Sequence, residues 1–153
     1  MSQQSQHSFT LNATWEGGRL GAGHLKAKGL DTQMSVPTEF GGPNTGTNPE
    51  ELLIGSAMTC YMITLAAILE KRNFKVISLT LQSEGIVGVE AGNTGFRQII
   101  HRPTIVLGDG DEKTIEVAQQ AAHRAEEVCM ISKAMRGNID FIVEPTVRIG
   151  QNV

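Results

Sequence analysis

Eighteen consecutive residues without a charge, Leu52 to Leu69, constrain this chain more than any other feature. A run of roughly that length is where a membrane-spanning helix becomes the first hypothesis. The run argues against it. Gly55, Ser56, Thr59 and Thr64 interrupt it, and Tyr61 is its only aromatic residue, so it has no interfacial belt. A helix apolar on all sides is otherwise a central core helix, or one that packs on a second chain. Its start is well marked. Asn48 is placed to cap it, Pro49 takes the first helical position, and Glu50 and Glu51 lie in the positive first turn. Glu51, three residues after Asn48, gives a capping-box-like spacing. Lys71 and Arg72 close the last turn and Asn73 stops the helix. A chain of 153 residues has too little polypeptide to cover such a helix by itself, which predicts a homodimer.

The flanking segments read mostly as strands. Phe9, Leu11, Ala13 and Trp15 alternate with polar residues before a turn at Glu16-Gly17-Gly18-Arg19, a second strand over Leu20–Lys28 and a weaker one near Thr32–Val36. Phe40 to Thr47 is a loop. After the helix, strands are expected over Val76–Ser83, Ile86–Val89 and Phe96–Leu107, with a turn at 91–95. Gly108 to Asp111 is a turn and cap. A second helix carries apolar residues at Ile115, Ala118, Ala122, Ala125 and Cys129, and Ser132–Arg136 continues it past a break. Alternation from Ile139 to Ile149 gives a last strand, with Pro145 marking an edge or bulge. Clustered strands predict an α+β fold with antiparallel sheet. The expected organisation is a disordered polar tail over residues 1–8 and one domain over 9–153.

Charge and cysteine content narrow the function. A formal net charge of −3, with 13 scattered Lys and Arg, excludes the basic face of a nucleic-acid binder and polybasic membrane attachment. Two cysteines make no secreted disulfide framework, and the polar N-terminus does not read as a signal peptide. The expected compartment is the cytoplasm. His123, Glu127 and Cys129 share a helix without metal-ligand spacing, and no Cys-x-x-Cys occurs, so no metal site is expected. His7, His24 and His101 read as isolated surface residues.

Cys60 and Cys129 both fall on core-facing positions of helices. Each is either a small buried hydrophobe or half of a redox pair, and spacing alone does not bring their Cα atoms within the ~4.4–6.8 Å of a disulfide. A nucleophilic cysteine needs a positive group to lower a pKa of about 8.5. Arg19 is the candidate, against the alternative of a solvated hairpin arginine. Glu50 is the candidate to hold that arginine in a bidentate pair, against a simple helix-dipole role that Glu51 fills better.

These residues together resemble a known family. Gly46-Thr47-Asn48-Pro49-Glu50-Glu51-Leu52-Leu53, with Cys60 ten positions after Glu50, is similar to the helix signature of the OsmC/Ohr thiol peroxidases. Cys129-Met130-Ile131-Ser132-Lys133-Ala134 resembles their second cysteine motif, and the turn around Arg19 their N-terminal one. Met130 stands where the family usually has Pro, and Tyr61 where it commonly has Phe; the chain is grouped with the OsmC-like branch. The resemblance implies an intertwined homodimer with antiparallel sheets around a buried central helix. It implies a peroxidatic Cys60, a resolving Cys129, an Arg19 that stabilises the thiolate and a Glu50 that holds Arg19. It further implies an organic hydroperoxide substrate, a lipoyl-type or other dithiol reductant, and no bound cofactor. A thiol–disulfide sensor or a non-catalytic domain are the other readings of the same cysteines.

Overall fold

The computed structural model describes residues 5–150, which fall into two compact units that divide between Leu52 and Leu53. The expected tail over 1–8 lies partly outside the described residues; residues 5–8 are exposed and have no regular structure.

The first unit is a three-stranded antiparallel meander. β1 (Asn12–Glu16) pairs with β2 (Ala22–Lys26), and β2 with β3 (Asp31–Met34). Gly17, at φ 86°, starts the β1–β2 connection and Gly21 N donates to Gly18 O at 2.9 Å to close it. All five β1 residues are exposed, Trp15 included. A turn of 3-10 helix, Thr38–Phe40, follows within the stretch leading to the expected loop.

α1 runs Pro49–Lys71, beginning where the sequence places it. Asn48 Oδ1 accepts from Glu51 N at 2.8 Å. The reciprocal arm differs: the Glu51 carboxylate accepts from the Thr47 hydroxyl at 2.9 Å. At the other end Asn73 takes φ 58°, and Asn73 N and Phe74 N donate to Glu70 O and Leu69 O, the paired bonds of a Schellman motif. The helix is long and apolar enough to cross a membrane by composition. Here it is a core helix, with Ala57, Tyr61, Leu65 and Leu69 buried at steps of four.

The second unit carries a long hairpin, β4 (Val76–Glu90) and β5 (Asn93–Leu107). The two strands expected at 76–83 and 86–89 are one strand, because a bulge at Ile86/Val87 absorbs the irregularity that looked like a gap. Its turn is tighter than expected. Ala91 (φ 50°) and Gly92 (φ 81°) give the two left-handed positions of a two-residue hairpin turn.

α2 (Glu112–Val128) starts on a capping box between Asp111 and Thr114. It ends at Cys129, from which α3 (Met130–Met135) departs. The expected single last strand is two, β6 (Asp140–Val143) and β7 (Thr146–Ile149), both paired with β5. His101↔Val143 and Thr104↔Thr146 keep one register, which sets Pro145 opposite Pro103. Neither proline offers an N–H, so the ladder breaks there. The pairing is parallel, which corrects the expectation of a wholly antiparallel sheet. Two helices separate β5 from β6, and a crossover of that kind returns the chain in the same direction.

The main core lies where Tyr61, Leu65 and Leu69 of α1 meet Ile105 and Leu107 of β5 and Ala118, Ala121, Ala122 and Ala125 of α2. The alanines let α1 approach α2 closely enough for Tyr61 OH to donate to Ala122 O at 2.8 Å. That contact ties together the helix carrying Cys60 and the helix ending at Cys129.

Candidate functional site

Cys60 sits in the middle of α1, part-buried, and Cys129 is fully buried at the elbow between α2 and α3. The fold brings these two predicted residues together. Burial pushes the Cys60 thiol up, but hydrogen bonds from the Cys129 thiol, from the Ile131 and Met130 backbone and from the Thr64 side chain outweigh it, and the thiol lies below its ordinary range. Cys129 moves the other way: burial raises it, and so does its thiol bond to Cys60, more than Ser132 and Ile131 bring it down. The two thiols are thus displaced in opposite directions, Cys60 toward easier ionisation.

Arg19 and Glu50 lie in the first unit, on the wall of a cleft of about 270 Å³ formed with Trp15, Met34, Val36 and Phe40. Among the described residues no ion pair joins them. Arg19 Nη2 instead donates to Phe40 O at 2.7 Å. Glu50 Oε2 is buried without a partner. An orphaned buried carboxylate oxygen costs on the order of 1–3 kcal/mol, so a donor belongs there. Glu50 and Cys60 share one helix, ten residues apart, which is about 15 Å along its axis.

Three features escape the sequence reading. The Met130 and Ile131 amides act on Cys60 through backbone, which no residue type announces. Ser132 N donates to Cys129 Sγ at 3.5 Å, fixing that sulfur, while Ser132 Oγ is buried without a partner. His101 is fully buried, which corrects its assignment to the surface. Its Nδ1 lies 2.7 Å from Ser83 Oγ, its ring stacks on Tyr61 at 4.5 Å, and its Nε2 has no partner. Burial holds it down to about pKa 4, so it is neutral at physiological pH. The signal for this was present: Ile99, His101, Pro103, Ile105 and Leu107 alternate on one face of β5. His24 is exposed, as expected, and bonds Asp31. Among the described residues no three His, Cys, Asp or Glu side chains are grouped to hold a metal.

Residues 42–144 match the OsmC-like protein family. The chain belongs to that family. Over 147 residues it is 42% identical to "Uncharacterized protein YmaD" of Bacillus subtilis, covering 95% of this chain and 98% of that one. It is 30% identical over 141 residues to an "Organic hydroperoxide resistance protein" of Xanthomonas axonopodis pv. citri, covering 92% and 96%. A crystal structure of an organic hydroperoxide resistance protein from Elizabethkingia anophelis superposes with a TM-score of 0.74 at 28% identity, over 94% of this chain and all of that one. The α+β OsmC-like fold expected from the sequence is the fold observed, and membership makes α1 the core helix of a soluble protein.

Proposed function

We propose that this OsmC-like protein is a two-cysteine peroxidase that reduces organic hydroperoxides, and hydrogen peroxide less well. The observation that carries the reading is the juxtaposition of the two free thiols: part-buried Cys60 on α1 is hydrogen-bonded by Cys129, which is buried at the elbow between α2 and α3. The Cys60 thiolate attacks the terminal peroxide oxygen, the O–O bond breaks, and the alkoxide leaves as an alcohol after taking a proton. Cys60 becomes a sulfenic acid. The Cys129 sulfur then attacks the Cys60 sulfur, releasing water and forming the disulfide. An external dithiol, lipoyl-type or similar, restores both thiols by exchange. The cleft beside Arg19 is walled by Trp15, Met34, Val36 and Phe40, which suits an organic tail at about 0.8 kcal/mol per buried CH₂.

The same reading makes residues 9–153 one functional domain, cytoplasmic, and active as a homodimer. Ile63 is 68% exposed on α1, beside exposed Ala66 and Ala67, and grooves of about 840 and 510 Å³ flank it. A second copy of the chain suits that mostly apolar face, on which, among the described residues, Glu70 is the one charged residue lining the larger groove. Glu50 stands about 15 Å along α1 from the Cys60 of its own helix. In this reading Arg19 exchanges its Phe40 carbonyl for the orphaned Glu50 oxygen and serves a Cys60 thiolate. In that position its charge stabilises the thiolate and the departing alkoxide.

The test is stopped-flow consumption of cumene hydroperoxide and hydrogen peroxide by reduced protein, with intact mass after turnover. Fast loss of the organic peroxide is expected, with a mass lower by two hydrogens in wild type and an oxygen adduct in Cys129→Ser. Consumption no faster than by a free thiol would end the reading. One observation favours a thiol–disulfide sensor instead: Arg19 is engaged by Phe40 rather than Glu50. Arg19→Ala with undiminished peroxide reactivity would select that reading.

A further inference from the structure

Cys129 is a one-residue elbow whose backbone polar atoms join two helices, while its thiol also bonds Cys60. Its N–H donates to Ala125 O and completes α2. Its carbonyl accepts from Lys133 N at 3.0 Å and its Sγ from Ser132 N at 3.5 Å, which begin α3. Those bonds hold the Cys129 backbone, so the angle between the helices rests on this one extended residue and on what α3 packs against, Ile131 and Met135 lying against Ala57, Ile99 and Ile139. That angle decides where the Cys129 sulfur stands relative to Cys60.

The angle is closed from outside by Arg136. This residue ends α3, its N–H donating to Ser132 O at 2.9 Å, and its side chain turns back onto the end of α2. Nη2 donates to the Glu126 carboxylate at 2.6 Å and to Glu126 O at 3.3 Å, and Nη1 donates to Glu127 O at 3.5 Å. The two carbonyls belong to the last turn of α2, where intrahelical donors run out and a cation is favoured. The Glu126 side chain is only 15% exposed while the Arg136 side chain is 47% exposed, so the clasp rests on its several simultaneous bonds and not on exclusion of water. A planar guanidinium reaches two carbonyls and a carboxylate together; an ammonium does not.

We propose that Arg136 is a positioning residue for the two-cysteine chemistry: by clasping the end of α2 from the end of α3 it fixes the elbow that presents Cys129 to Cys60. The inference rests on the proposed use of this pair and is tested without a peroxide. Reduced full-length protein is equilibrated in glutathione redox buffers. Cys60 and Cys129 join in one S–S bond, and their two electrons and two protons convert oxidised glutathione to two reduced molecules. Acid quench, alkylation and intact mass give the fraction oxidised, and hence the effective concentration of one thiol at the other. Small misplacements of reacting groups are costly, so Arg136→Met and Glu126→Gln are each expected to lower it about tenfold or more. Arg136→Lys, which keeps the charge without the fork, is expected to fall between. If Arg136→Met does not fold, the other two variants carry the comparison.

A merely structural Arg136 lowers the melting temperature and leaves the effective concentration unchanged, and that result overturns the proposal. So does a wild-type protein that forms no Cys60–Cys129 disulfide in the titration. Wild-type peroxide consumption is measured in parallel. A protein that closes the disulfide and loses it in Arg136→Met, yet consumes no peroxide, overturns the peroxidase reading and supports the clasp.

Discussion

Lowering the pH through the histidine range should destabilise this fold by way of a single buried side chain. His101 lies on the core face of β5, against Tyr61 of α1, Ser83 of β4 and Phe141 of β6, and none of these contacts offers a negative charge. Burial holds its pKa down to about 4, against about 6.5 in an unfolded chain. Between those values the unfolded state binds a proton that the folded state does not, so stability falls as pH falls. The contribution is undisturbed above pH ~6.5. About 2 kcal/mol is lost by pH 5, and about 3 kcal/mol by pH 4, where the loss levels off. The assay is urea unfolding followed by circular dichroism at pH 7, 6 and 5, at one protein concentration, for wild type and His101→Asn. The asparagine amide can keep a bond to Ser83 but does not titrate. Carboxylates contribute equally to both proteins and cancel. Wild type should lose about 2 kcal/mol more than His101→Asn between pH 7 and pH 5. Parallel loss in the two proteins would refute the reasoning, because it would mean that His101 charges in place.

Other perturbations follow from the same contacts. Met130→Pro should slow Cys60 alkylation by iodoacetamide about tenfold at neutral pH, the cost of one charge-assisted hydrogen bond, with little change in melting temperature. Cys129 has φ −60° and ψ 123°, which a following proline accepts, and the Met130 side chain is 71% exposed, so only the N–H is lost. Leu65→Ala removes a fully buried side chain from the α1–α2 core and should cost about 2–5 kcal/mol in urea unfolding. Ile63→Glu should leave the fold intact by circular dichroism and, if the proposed dimer forms through this face, shift sedimentation velocity toward a monomer; a wild-type dimer that the change leaves intact would place the interface elsewhere.

The expectations that match the structure rest on contacts between near neighbours. The ends of α1, the Asp111 cap of α2 and the β1–β2 hairpin are made by bonds spanning a few residues. The core positions of Ala118, Ala122, Ala125 and Cys129 follow from helical periodicity, which does not depend on what covers the face. The errors fall where a local signal had two outcomes. Pro145 is compatible in sequence with an edge or a bulge, and its position opposite Pro103 makes it a break in the ladder instead. His101 was assigned as a polar residue instead of by its place in the alternation of β5.

By itself, then, the sequence determined the long uncharged helix, its caps, the buried place of Cys129 and the α+β class, because each follows from the order and periodicity of residues along the chain. Tertiary structure alone decided that β6 and β7 run parallel to β5, that the Met130 and Ile131 amides meet the Cys60 sulfur, and that Arg19 bonds the Phe40 carbonyl. Cys60 and Met130 are seventy positions apart, and a backbone N–H is the same group at nearly every residue. Its chemical role is therefore set by where the chain's long-range packing carries it, not by the residue that bears it.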